Sequence, residues 1–90
     1  MNESQKLFKK IEKSKNKTKT IEEERSKILT KMKNYMNKNE PNDKNGLLKK
    51  QVFVWISLLA TLNQIKDNAV SYENLVDPNK LYDKIKNIKN

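Results

Sequence analysis

Gly46 is the only glycine in this chain of 90 residues, and no other feature narrows the fold so far. Hairpin turns draw on glycine for positive φ, and antiparallel sheets need such turns at short intervals. Asn can stand in at some turns, but a multi-hairpin architecture has too few turn residues here. Helices joined by Asn- and Asp-rich links fit the chain better. The expected class is all-α: a small helical bundle of three to four helices with a basic N-terminal arm or helix.

The segment from Leu47 to about Asp67 is the most apolar. Leu48, Val52, Trp55, Leu59 and Leu62 form one stripe at helical spacing, and Phe53, Ile56 and Ala60 widen it beyond a normal face. Such a helix has to be covered on more than one side. It is therefore expected to be the central helix of the bundle, or to pair with a second copy through residues 47–66. The β-branched run Val52, Val54, Ile56 would permit a strand; Leu58, Leu59, Ala60 and Leu62 favour helix. The unbroken apolar stretch, Val52 to Leu62, is well short of the ~20 residues of a membrane span. Further on, Asp77 reads as an N-cap with Pro78 at the first helical position, followed by Leu81, Ile85 and Ile88 at i, i+4, i+7. Lys84, Lys86 and Lys89 suit the C-terminal end of that helix, and a short turn is expected at Tyr72–Val76.

Towards the N-terminus the signals are mixed. Thr20 with Glu23 has capping-box spacing, and Ile21, Ile28, Leu29, Met32, Tyr35 and Met36 follow as a stripe. A helix over about 21–37 is predicted, ended by the turn residues of 37–46, which include Pro41. Upstream, Leu7, Phe8 and Ile11 make one small apolar patch, while residues 14–20 hold no apolar side chain. Alone, such a segment would fray, so the chain divides into a basic arm, 1–19, and a helical core, 20–90. One alternative stays open. Positions 7, 11, 14, 18, 21, 25, 28, 32 and 35 keep a 4–3 spacing, so that residues 3–37 could be one helix, although Ser14, Thr18 and Arg25 fit a coiled-coil seam poorly. Apolar residues make up only 34% of the chain. The core should thus be thin, anchored on Trp55 with Val52, Leu59, Leu62, Met32 and Ile85.

The net charge is +9, and nineteen of the twenty basic residues are Lys. Lys, Asn and Ile all have A–T-rich codons, so part of this bias has a genomic source; codon bias alone does not force the charge balance. Residues 1–20 carry seven lysines against Glu3 and Glu12. Lys6, Lys9, Lys10, Lys13, Lys15, Lys17 and Lys19, with Lys49 and Lys50, are the candidate phosphate contacts, since a lysine stripe can follow a phosphate backbone through counterion release. The competing reading is a solvated face that keeps the protein soluble. With Arg25 the only arginine, base-specific readout of DNA is disfavoured. RNA, single strands or a nucleoprotein complex are the expected partners. Phe53 and Trp55 are expected in the core, leaving Tyr35, Tyr72 and Tyr82 as the more exposed candidates for stacking on bases. A helix-turn-helix is a poor fit, because the linker at 37–46 is long and the next segment too apolar for a groove.

Histidine and cysteine are absent. No Ser–His or Cys–His nucleophile pair can form, and the usual zinc and copper ligands are missing. Glu22, Glu23 and Glu24 read as favourable charge on a helix first turn, not as a metal or acid–base pair. No glycine-rich phosphate loop exists. The expectation is a non-enzymatic binding protein with no catalytic residue, cofactor or metal. The N-terminus lacks a signal-peptide apolar core, which predicts a cytoplasmic protein. Two other functions remain compatible. One is a protein-directed inhibitor or modulator of a host nuclease complex, anti-CRISPR-like, of the kind phages and mobile elements encode; the analogy is one of size and charge and not of any motif. A small helical immunity protein is the third option, although an apolar patch of three residues gives little membrane insertion.

Overall fold

The computed structural model describes residues 1–38 and 47–88, and the side chains of these except at 47–49 and 88. Four helices account for most of them: α1 (Glu3–Glu12), α2 (Lys17–Lys38), α3 (Leu47–Lys66) and α4 (Pro78–Ile88), with a 3-10 turn at Tyr72–Asn74. No strand occurs among the described residues. Of the expected terminator of α2 at residues 37–46, the first two residues are still helical and the rest, with Pro41 and Gly46, lies outside the described residues, as do the side chains of Leu48 and Ile88.

The N-terminal third forms two helices and not one. Asn2 opens α1 with a capping box: its side chain accepts from Gln5 N–H at 2.9 Å, and its own N–H donates to Gln5 Oε1 at 3.2 Å. The chain breaks at Lys13–Asn16, where Ser14 and Asn16 hold each other. Ser14 Oγ donates to the Asn16 carbonyl at 3.0 Å and accepts from Asn16 N–H at 3.2 Å. Asn16 then caps α2 by accepting from Lys19 N–H at 3.1 Å. The cap expected at Thr20 is therefore displaced by one turn. Thr20 lies inside α2, with its hydroxyl against that of Ser14.

Helix α3 touches α1, α2 and α4, the central position its wide apolar surface calls for. At 1.5 Å per residue, the 22 residues of α2 span about 33 Å and the 10 of α1 only about 15 Å. Helix α1 thus covers one half of the α2–α3 pair. The other half of α3 is met by α4, through Phe53 against Tyr82 (5.5 Å between ring centres) and Lys50 near Asp83 (3.6 Å). Helix α3 ends without glycine. Asn68 takes the left-handed conformation, φ 54°, while Ala69 N–H donates to the Gln64 carbonyl at 2.8 Å and Asn68 N–H to that of Ile65 at 3.1 Å. At α4 the expected start holds: Asn79 N–H donates to Asp77 Oδ1 at 3.0 Å.

The core cluster is Leu7, Ile11, Ile21, Ile28, Val54, Leu58 and Leu62, with Met32, Trp55, Leu59 and Ile65 packed around it. Leu7 and Ile11 belong to α1, so the N-terminal segment is a docked helix that shares the core. The anchor differs from the expected one: Leu62, Ile11 and Pro78 are the fully buried apolar side chains, Trp55 and Val52 are half-buried, and Ile85 is 37% exposed. Trp55 lies at the rim because it faces Tyr35 across the α2–α3 seam, ring centres 5.4 Å apart.

Candidate nucleic-acid interface

Docking of α1 determines where its lysines point. Ser4, Leu7 and Ile11 are buried on one side of the helix. Lys6, Lys9, Lys10 and Lys13 fall within about 100° of arc on the other, and all four are exposed. Phe8, beside the buried stripe, meets Tyr72 edge-on at 5.9 Å, and Lys9 Nζ lies 5.3 Å from the centre of the same ring. The 3-10 turn is thereby fastened to α1. Lys15 in the turn, and Lys17 and Lys19 on the first turn of α2, are likewise exposed. Of the nine candidate lysines, four thus share the outer arc of α1, and three more are exposed along the turn and the start of α2 that follow it.

The other two are not. Lys50 lies towards the opposite end of the bundle, paired with Asp83 and over the Tyr82 ring at 5.6 Å. Lys49 is on the first turn of α3, its side chain outside the described residues.

Sequence reasoning missed three lysines that the fold adds to this side. Lys27 and Lys31 on α2 lie toward α1, and Lys66 closes α3 beside Lys17. Only a known α1–α2 and α1–α3 packing reveals them. Glu24 is the counterweight. Its carboxylate, 14% exposed, takes Lys10 Nζ and Lys27 Nζ at 3.1 Å each. Burial works to raise its pKa, but the two lysine contacts together outweigh burial and hold it below the ordinary carboxylate value. The hydrogen bond to Glu24, aided by its charge, raises the pKa of Lys27. Among the described residues no ion pair holds Lys6, Lys13, Lys15, Lys17 or Lys19.

All six aromatic rings of the chain are in three edge-on pairs: Phe8–Tyr72, Tyr35–Trp55 and Phe53–Tyr82. Tyr35, Tyr72 and Tyr82 sit half-buried in these pairs, at the rim of the core. Among the described residues no group of His, Cys, Asp or Glu could hold a metal ion, and no helix is long and apolar enough to cross a membrane. Comparison with protein-family models, curated proteins and solved structures found no match to this chain.

Proposed function

We propose that this protein is a non-enzymatic binder of nucleic acid, RNA or single strands in preference to a specific DNA sequence, or of a nucleoprotein. It would engage phosphates with the outer face of α1 and the α1–α2 turn. The observation that carries the reading is the run of exposed lysines from the outer arc of α1 (Lys6, Lys9, Lys10, Lys13) through the turn to the start of α2 (Lys15, Lys17, Lys19), of which Lys10 alone is in an ion pair among the described residues. Lysines are point charges on flexible stems, suited to phosphates and poorly suited to reading base edges. Neutralising about four to six phosphates of a single strand gives a slope of log K against log salt of about −3 to −4. The test is a salt titration of binding by the wild type and by a variant with Lys6, Lys9 and Lys13 changed to Gln. Lys10 is left in place because it fastens α1 to Glu24. The variant should bind at least tenfold more weakly with a shallower slope. A wild type without salt-sensitive affinity for RNA, DNA or a nucleoprotein would refute the reading and move a protein-directed inhibitor ahead of it.

Self-association through residues 47–66 belongs to the same proposal, supported by a different observation. Ile56 on α3 is 53% exposed, and Leu29 and Met36 on α2 are each 49% exposed. The antiparallel register set by Arg25–Asn63 and Tyr35–Trp55 places all three along one side of the α2–α3 seam. Sedimentation over a concentration series should show dimers that Ile56→Lys abolishes; a strictly monomeric wild type at high concentration rules this out.

A further inference from the structure

We infer that the cleft at the α1–α2 end of the bundle receives one unstacked base of a single-stranded nucleic acid, with Lys17 and Lys66 holding the phosphates on either side. The inference rests on the reading of α1 as a phosphate-binding face and adds what that face selects. The cleft encloses about 490 Å³ between the end of α1, the start of α2, the end of α3 and the chain beyond it. That volume falls in the range of sites for small organic groups. Its apolar surface comes mainly from Phe8, Ile65 and Val70, with the buried Ile11 and Ile21 beneath, and Thr18 and Asn68 add polar lining. At its edge stand Lys17 and Lys66, both exposed and contributed by different helices, against the single carboxylate of Glu12.

This arrangement matches a nucleotide part by part. A base has a flat, weakly hydrated face that gains from burial against apolar side chains, and its phosphates stay at the solvent edge where an ammonium group can reach them. Single-strand binders usually offer exposed aromatic rings for stacking. Here every ring is already paired with another, and the base would instead meet the apolar part of the cleft, which includes the Phe8 ring. A paired base cannot enter without leaving its duplex, so the cleft discriminates against double strands. Lys13, Lys15 and Lys19 lie around the same turn and carry the electrostatic contact onward along the strand.

The experiment measures affinity for a 12-nucleotide single strand, an abasic strand with the same phosphates, and a 12-base-pair duplex at one salt concentration. Wild type should prefer the single strand over both others by about tenfold, the scale of one buried base. Thr18→Trp, made at an exposed position on the cleft wall, should fill the entrance and remove that preference, with salt-dependent duplex binding retained and helicity unchanged by circular dichroism. Lys17→Gln with Lys66→Gln supplies a second variant that leaves the apolar core untouched and should reduce the preference as well. Equal affinity of the wild type for all three ligands, or an undiminished preference in both folded variants, would overturn the base-binding cleft and leave the phosphate-binding face standing. Absence of binding to any of the three would overturn both.

Discussion

Ser4 is fully buried on α1, and its hydroxyl has no hydrogen-bond partner among the described residues. A small side chain lets α1 approach the bundle closely, but the unpaired hydroxyl costs roughly 1–3 kcal/mol of desolvation. Ser4→Ala keeps the close approach and removes that cost, so thermal denaturation should show an unchanged or higher melting temperature. Leu62, with no exposed surface, gives the opposite result. Leu62→Ala should cost about 2–5 kcal/mol, a large part of the stability of so small a domain. Glu24 adds a pH dependence. Its folded pKa lies below the ordinary value of 4.5, so its contribution is complete above that value and is lost as pH falls through the depressed one. Since Lys10 and Lys27 are more than half exposed, that contribution is at most ~1 kcal/mol. Acid titration of stability should be flatter below pH 4.5 in Glu24→Gln than in the wild type; equal curves would show the contacts to be idle.

At the scale of elements, α1 is where the fold departs most from sequence reasoning. The segment is dominated by lysines, and its three apolar residues look too few to hold a helix. Their worth appears only when Leu7 and Ile11 are found in one buried cluster with Ile21, Leu58 and Leu62, a long-range fact that no local pattern contains. The start of α2 illustrates a different failure. Asn16 and Thr20 are both competent caps, and the choice falls to Asn16 because Ser14 folds back on it. The capping pair Asn2 and Gln5, and Asn68 as the left-handed terminator of α3, are local signals that the apolar periodicity does not carry. By contrast, α3 and the Asp77–Pro78 start of α4 were plain, since an apolar run bounded by polar residues and a proline N-terminus admit few alternatives. The same holds for the site: lysine spacing on α1 was readable, but Lys27, Lys31 and Lys66 required the packing. Removal of residues 1–12 puts this to the test. If α1 were a separate arm, the remaining chain would melt as before. Because the deletion strips Leu7 and Ile11 from the core, the truncated protein should instead lose its cooperative transition or melt far lower. Asn2→Ala, which removes only the cap, should cost about 1 kcal/mol.

For the molecule as a whole, the balance of charge sets a condition on both stability and binding. A net charge of +9 on 90 residues makes the compact state self-repelling. Attraction offers little compensation: the described residues hold three ion pairs, all with at least one partner more than a third exposed. Near 0.1 M salt the screening length is about 10 Å, comparable to the spacing of neighbouring helices, so added salt reaches most of the lysine–lysine repulsion. Repulsion among many exposed lysines outweighs three screened pairs, and the melting temperature should therefore rise as NaCl is increased from low ionic strength to about 0.5 M. Over that range affinity for a nucleic acid should fall, because counterion release weakens as salt is added. The two trends have opposite signs, and each isolates a different part of the molecule. Changing Lys6, Lys9 and Lys13 to Gln lowers the charge and should raise the low-salt melting temperature while weakening binding. A melting temperature that falls with salt would mean that the Glu24 and Asp83 pairs dominate the electrostatics of the fold. A variant no more stable than the wild type at low salt would mean that the lysines of α1 lie too far apart to repel one another, and too far apart to grip one strand together.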